Sequence, residues 1–459
     1  MTAIGKTFLV RAGSLTSVPD ALVSFGKNNE VVIPMETIDE LEKAARKPDE
    51  KSKLAIKVLE YIETFDANEL VENGCKQSNG SILQLIDSNH FKEDHGSLKK
   101  FPDLNNYDKR CLQIALGLKR NNEKVIIISR KTSFRIKAKQ VGIEAQNFKD
   151  EIFPALTEQY SGRLTCPVED SLIDKFYSDK KISVNLLPEG IQQKLQQNMF
   201  VTLKGMDNPQ KSALTRFDGN CLVELVFKDI HPYSQKTKNS GQLMLKEALL
   251  TDPQKAPLVI VKGPAGTGKT FLSLAVALEK TIKPSEEHVY DKILIGAPIH
   301  ANELGYLPGE IMNKADPYII GFKNNLRILL KKDSKKNKNN DSSSNEDPVA
   351  KLFEDNIIDI QPVETLRGAS ISNAIYIIDE CQNIKPKTIK TIITRAAEGC
   401  KIVLLGDPSQ TDERSLNEKY NGITYASEIW KGNSLAWQVY FEEDESVRSE
   451  LAKEAAKIM

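Results

Sequence analysis

The sequence predicts an α/β protein of several domains whose C-terminal half is organised on a parallel sheet. Three observations lead there. Short continuous apolar runs, among them Val31–Ile33, Val125–Ile128 and Leu258–Val261, have the β-branched composition of strands buried on both faces. Between them lie segments whose apolar residues recur at helical spacing, such as Leu54, Val58, Leu59 and Ile62, or Phe271, Leu274, Ala275 and Leu278. A glycine-rich loop from Gly263 to Thr270 joins one such strand directly to one such helix.

At 459 residues the chain is long for one core, and a typical ~100–200 residues per domain divides it into two or three. Its pattern falls into three segments. Residues 1–150 carry Phe8–Val10, Val31–Ile33, Ile82–Leu85 and Val125–Ile128 as parallel strands of a small α/β sandwich. Residues 151–235 carry Ile182–Val184, Phe200–Leu203 and Leu222–Phe227, short runs between Gly, Asn and Pro turn signals, which predict a small β-rich module or structured linker. Residues 236–459 return to α/β periodicity, interrupted near 331–347 by a polar stretch without apolar residues that is expected to be a mobile loop.

Apolar residues make up 40% and charged residues 27% of the chain, close to the soluble globular norm. Lys plus Arg and Asp plus Glu number 63 each, which excludes a global basic field, so any grip on a nucleic-acid backbone is local. The six cysteines (Cys75, Cys111, Cys166, Cys221, Cys381, Cys400) have no CxxC spacing and read as reduced thiols. Phe8–Val10 is too short for a signal-peptide core, and no stretch reaches the ~18–20 apolar residues of a membrane span. A cytoplasmic protein with no membrane partner is expected.

The loop after strand Leu258–Val261 reads Gly263, Pro264, Ala265, Gly266, Thr267, Gly268, Lys269, Thr270, which is GxxxxGK[ST] in its strand–loop–helix context. Glycines let backbone N–H groups turn inward as an anion nest at a helix N-terminus. Lys269 then reaches the β- and γ-phosphates of ATP, and the Thr270 hydroxyl binds Mg²⁺. Hydrolysis needs further acids. A second buried run, Ile375–Ile378, delivers Asp379 as a Mg²⁺ partner and Glu380 to orient and deprotonate the attacking water. A third, Ile402–Leu405, ends in Gly406-Asp-Pro-Ser-Gln410.

Asp379-Glu-Cys-Gln382 followed by Gly406-Asp-Pro-Ser-Gln410 resembles motifs II and III of superfamily-one helicases, which implies γ-phosphate sensing by Gln382 and Gln410. Leu304–Glu310, Lys314–Tyr318, Leu366-Arg-Gly368, Thr394-Arg395 and Ser446-Val-Arg448 narrow the resemblance to the PhoH ATPases, and the whole chain resembles a PIN–PhoH protein. The resemblance implies a PIN-like α/β sandwich and a RecA-like P-loop NTPase core with a parallel sheet. It further implies ATP and Mg²⁺ as cofactors, and RNA or single-stranded nucleic acid as partner. The chain departs from the family at Ala297 and at Ala369-Ser370, where arginines are usual.

Superfamily-one helicases use two RecA-like cores, and the residues here suffice for one. An arginine finger is then expected from the same core or from a neighbouring subunit of a homo-oligomer, by resemblance a hexameric ring. Arg448, Arg395 and Arg367 are candidates, each equally readable as a structural ion-pair residue. Gln242 matches the family's adenine-reading glutamine and equally suits a helix cap.

By the same resemblance, PIN nucleases hold Mg²⁺ on about four carboxylates. Pro19, Val31–Pro34, Glu40-Leu41, Asp108 and Arg135-Ile-Lys137 fix the register, in which Glu40 and Asp108 match two acids while Arg11 and Lys131 replace the others. Two carboxylates beside two cations carry no net charge, so metal catalysis there is not expected and the acids should pair with Arg11 and Lys131. Lys119, Arg120, Lys124, Arg130, Lys131, Arg135, Lys137 and Lys139 form a basic run that is either a solvated face or a phosphate contact. Three functions follow: an ATP-driven motor that remodels or unwinds RNA with a PIN-like appendage lacking nuclease activity, an ATP-dependent ribonuclease retaining a residual metal site, and a nucleotide-dependent scaffold or switch.

Overall fold

The computed structural model describes residues 5–16, 21–23, 25–26, 28–47, 50–91, 98, 100–121, 124–147, 156–282, 289–296, 298, 311–334, 347–363, 366, 368, 370–413, 416–452 and 454. They form two compact units, Met1–Ile152 and Phe153–Met459. The fold is mixed α/β with parallel sheets in both.

In the first unit a six-stranded sheet has the order β3-β4-β2-β1-β5-β6, from β1 (Thr7–Val10), β2 (Glu30–Pro34), β3 (Cys75–Lys76), β4 (Ile82–Ile86), β5 (Val125–Ile128) and β6 (Glu144–Gln146). All pairings are parallel except β3 with β4. Leu9, Val32 and Ile127 pack on helices Asn106–Arg120 and Thr132–Gln140 through Leu112, Ala115, Phe134 and Ala138. The neighbouring Phe8, Val31, Ile33 and Ile126 are buried as well. Burial on both faces is why these strands read as unbroken apolar runs.

The second unit holds two sheets. The smaller has the order β7-β9-β10-β11-β8, from β7 (Arg163–Val168), β8 (Lys181–Ser183), β9 (Phe200–Gly205), β10 (Ser212–Phe217) and β11 (Cys221–Glu224). Edge strand β7 is parallel to β9 and contains Pro167, a residue that an edge position tolerates. The run Leu222–Phe227 does not continue as strand. The buried Glu247 carboxylate accepts the amides of Val226 (2.9 Å) and Phe227 (2.9 Å) and turns the chain after Glu224.

The larger sheet is wholly parallel, in the order β14-β13-β15-β16-β12-β17, from β12 (Leu258–Lys262), β13 (Lys292–Gly296), β14 (Ile358–Ile360), β15 (Ala374–Ile378), β16 (Lys401–Gly406) and β17 (Ala436–Tyr440). Its residues alternate between two cores. Val259, Val261, Ile375, Ile377, Val403 and Leu405 meet helices Ser240–Leu250, Lys269–Ile282 and Ile311–Ser334. Ile260, Tyr376, Ile378, Ile402 and Leu404 meet helices Pro386–Ile393 and Gly422–Ile429. Crossovers therefore cover both faces and leave the strand C-termini open at one edge, where doubly wound sheets bind ligands.

The polar stretch 331–347 needs correction at both ends. Its first four residues continue helix Ile311–Ser334, and Asp347 caps the next helix by accepting the Val349 amide at 3.1 Å. Residues 335–346 lie outside those described. Among the described residues no helix is long and apolar enough to cross a membrane.

One buried cation closes this fold. Lys401, fully buried at the start of β16, donates to the carbonyls of Ala248 (3.0 Å), Leu249 (3.0 Å) and Thr251 (2.5 Å). It thereby satisfies orphan acceptors at the end of helix Ser240–Leu250. Burial lowers its pKa to about 7, while the three carbonyls call for three donors, which only the ammonium form supplies. Lys401→Met keeps the stem but strands these acceptors, and should lower the stability of the second unit by about 3 kcal/mol, read from the urea midpoint of its unfolding transition.

Candidate nucleotide site

The parallel register places β12 Lys262 opposite β16 Gly406, and β16 Leu404 opposite β15 Ile378. Gly263 and Asp407 therefore leave their strands side by side, while Asp379 leaves β15 beside Leu405, two residues earlier along β16, at the same open edge. They meet at a cleft of about 250 Å³ whose walls include Gly266, Gly268, Lys269, Thr270, Asp379, Glu380, Asp407 and Gln410.

The glycine loop turns through positive φ at Gly263 (139°), Gly266 (79°) and Gly268 (89°), angles that L side chains rarely adopt. At Gly263 a β-carbon would also strike the backbone of Phe441. Lys269 opens helix Lys269–Ile282, and its ammonium donates to the carbonyls of Gly263 (2.7 Å) and Pro264 (2.8 Å). Burial lowers its pKa while Asp379 pulls it back up. Thr267 is fully buried and donates to Pro264 O at 3.1 Å. Ala265 lines the cleft beside it.

Thr270 Oγ1 donates to Asp379 Oδ2 at 2.5 Å. A hydroxyl and a carboxylate meeting beside an anion nest are the hard-oxygen donor set of a Mg²⁺ carried in with phosphates, so the residues fit a Mg²⁺–nucleotide. Glu380 sits in the left-handed region (φ 54°) and receives Gln382 Nε2 at 2.5 Å. Burial first, and Asp379 second, raise its pKa above the ordinary carboxylate value.

Gln382 does not face the cleft directly. It is 1% exposed and ties three motifs together. Its Nε2 donates to Glu380 and to Gln410 O (3.1 Å), and its Oε1 accepts Asp407 N at 3.0 Å. Gln410 is exposed and does line the cleft. Gln242 lies behind the loop: its amide donates to Thr267 O at 2.9 Å and accepts Lys238 N at 2.8 Å, while Asn239 caps the helix.

The three arginines separate. Arg448 lies over Gly266, where its side chain fills the space a β-carbon would need, and Val447 N donates to Gly266 O at 2.9 Å. Its charge is close enough to disfavour that of Lys269. Arg395 is at the opposite edge of the sheet, where its carbonyl accepts the amide of Ile371, ahead of β15. Arg367 lies outside the described residues, as do Ala297, Ala369 and Leu304–Glu310. Sequence reasoning missed Asn325, which reaches the cleft from helix Ile311–Ser334 and has no local signature.

The first unit has its own pocket, lined by Arg11, Glu40, Tyr107, Asp108, Ser129 and Lys131 among others. Asp108 is buried, with one oxygen paired to Arg11 and the other to Lys131 Nζ at 2.8 Å. Arg11 also donates to Ser129 Oγ (2.9 Å) and stacks 3.8 Å over the Phe134 ring. Glu40 departs from expectation: it pairs with Lys43 at 2.8 Å, its neighbour one helical turn away, rather than with Arg11 or Lys131. Among the described residues no group of three or more His, Cys, Asp or Glu side chains is placed to hold a metal ion.

A parallel sheet with a phosphate loop at one strand end and an acid pair at another defines a P-loop NTPase. Residues 234–459 match the family described as PhoH-like protein, and residues 14–149 match the PIN domain. Protein PhoH2 of Bacillus subtilis (strain 168) is 32% identical over 466 residues, covering 99% of this chain and 100% of its own. Protein PhoH2 of Mycolicibacterium smegmatis is 25% identical over 448 residues, covering 96% and 94%. The chain belongs to this PIN–PhoH family. A structure of the PRRSV helicase covers 53% of this chain and 40% of its own at 12% identity and a TM-score of 0.20, a likeness too slight to bear on the argument.

Because Arg11 supplies both an ion pair and a ring stack inside the first unit, Arg11→Ala should destabilise that unit by about 3 kcal/mol. Amide hydrogen exchange of Thr7–Val10 and Asn106–Arg120 in the full chain reads this directly. Unchanged protection there, against an unchanged second unit, contradicts the structural role of the pair.

Proposed function

We propose that this chain hydrolyses ATP with Mg²⁺ and uses the cycle to remodel or unwind RNA, while its PIN domain does not cut RNA. The observation that carries the first part is the meeting of Lys269, Thr270, Asp379 and Glu380 at one edge of one sheet. In this reading the loop amides and Lys269 hold the phosphates, Thr270 and Asp379 hold Mg²⁺, and Glu380 takes a proton from the attacking water. The metal contributes charge neutralisation of the phosphates when bound. Gln382 keeps Glu380 aimed and joins it to the Asp407–Gln410 turn, a route by which contacts at that turn reach the base. Gln410 is the glutamine open to the cleft. Gln242, locked to the loop backbone, acts on the nucleotide's seat rather than through a free amide.

Two observations support the PIN domain as a binding appendage. Both oxygens of Asp108 are taken by cations, and Glu40 is paired elsewhere. The exposed basic side chains near that pocket suit backbone phosphates of RNA, as point charges without sequence reading. The position of Arg448 supports a site completed within the same core, and a homo-oligomeric ring stays part of the proposal through the family resemblance alone.

Lys269→Ala should abolish ATP binding, and Glu380→Gln should bind ATP but lose about 10²–10⁴-fold in kcat. Turnover measured with and without single-stranded RNA tests the motor reading; indifference to RNA favours a scaffold or switch. A raised pKa keeps the base protonated to higher pH, so on acidification kcat should fall with an apparent pKa above 4.5, and this limb should vanish in Glu380→Gln. Cleavage of RNA with Mg²⁺ or Mn²⁺ that disappears in Asp108→Asn would replace the binding reading with a ribonuclease.

A further inference from the structure

Glu445 is 7% exposed and lies in none of the motifs, yet both of its carboxylate oxygens are fully engaged. Oε1 accepts Ser240 Oγ (2.7 Å) and Gly241 N (2.7 Å) at the start of helix Ser240–Leu250. Oε2 accepts Arg163 Nη1 (2.8 Å) from strand β7 and Glu442 N (2.9 Å) from its own turn. Its backbone carbonyl accepts Asn239 Nδ2 at 2.8 Å.

The elements that meet at this carboxylate grip the phosphate loop from two sides. One is the helix that begins at Ser240, whose Gln242 holds Thr267 O. The other is the strap that follows Glu445, in which Val447 N holds Gly266 O at 2.9 Å and Arg448 covers Gly266. Phe441, which leads into the strap, packs against Gly241 and Gly263 together. Two consecutive loop carbonyls are thus set by segments anchored to one buried side chain. A carboxylate at a helix N-terminus that also pairs with an arginine is a stiff anchor, since its dipole, hydrogen-bond and ionic contacts all restrain it.

We propose that Glu445 is a positioning residue for the nucleotide site: it sets Arg448 over the phosphate loop, and its ion pair with Arg163 ties the five-stranded module to that setting. The inference rests on the nucleotide-binding reading above and extends it to a residue outside the loop. Glu445 touches no nucleotide in this scheme. It acts through Arg448, whose guanidinium supplies a second cation beside Lys269 for a triphosphate.

The test is a binding cycle on the full chain with a non-hydrolysable ATP analogue and Mg²⁺. Glu445→Gln, Arg163→Gln and Arg448→Ala should each weaken binding by about tenfold, the worth of one charge-assisted contact. The double variant Glu445→Gln with Arg448→Ala should bind no more weakly than Arg448→Ala alone, because the first change acts through the second residue. Arg163→Lys, which keeps the charge facing Glu445, should restore most of the affinity lost in Arg163→Gln. Losses that multiply in the double variant, or unaltered affinity in both Glu445→Gln and Arg163→Gln, overturn the proposal. Should Glu445→Gln fail to fold, the Arg163 pair of variants decides it in the same assay. A wild-type chain that does not bind the analogue refutes the nucleotide reading instead, so the two failures are distinguishable.

Discussion

Everything at the open edge of the larger sheet depends on the hydrogen-bonded register of β12, β16 and β15. A parallel ladder fixes which residue stands beside which, and a one-residue slip would turn every side chain to the opposite face. Here the buried residues of both faces forbid such a slip, since Val259, Val403 and Ile377 belong to one core and Ile260, Leu404 and Tyr376 to the other. β12 and β16 consequently end level and β15 stops two residues short of them, and their next residues are the glycine that opens the loop, the turn that binds Gln382 and the acid that meets Thr270. The geometry of the cleft is in this sense a by-product of core packing. The side chains that look chemical are aimed by those that look merely greasy.

Much of this was legible beforehand, for a physical reason. The phosphate loop, Asp379 and Glu380 are identifiable because backbone geometry and charge restrict the residues allowed within a few positions of a strand end. Strands buried on both faces are similarly conspicuous. Less could be read where the determinant is distant in sequence. The end of β11 depends on the Glu247 carboxylate, and β3 is a pair of residues recruited by β4. β7 hides a proline that only its edge position permits. Choosing among Arg448, Arg395 and Arg367 was beyond local pattern, because it depends on where the chain travels after β17. The motif marks Gln382, but its place as a buried brace between strand ends depends on the distant Asp407–Gln410 turn. Asn325 and Glu445 carried no signal, one lying in an ordinary amphipathic helix and the other in an acidic turn.

The two units differ in how they treat their acids. At the cleft of the second unit Asp379 and Glu380 stand together, and burial, helped by the repulsion between them, holds Glu380 above its usual pKa. In the PIN domain Asp108 is clamped by two cations, one of them the guanidinium stacked on Phe134. The first arrangement keeps electrostatic work in reserve for a ligand, whereas the second has discharged it internally.

That internal pairing also constrains the routes by which the PIN pocket can change. Arg11→Asp alone would put a second carboxylate beside Asp108, with only the half-exposed Lys131 to oppose both, and would empty the space over Phe134. Lys131→Asp alone would leave Arg11 facing two acids, one of them at a half-exposed position. Each single step toward a four-acid pocket would thus disturb the Arg11 contacts with Asp108, Ser129 and the Phe134 ring. With the guanidinium packed into this pocket, a site of four carboxylates would require several coordinated substitutions.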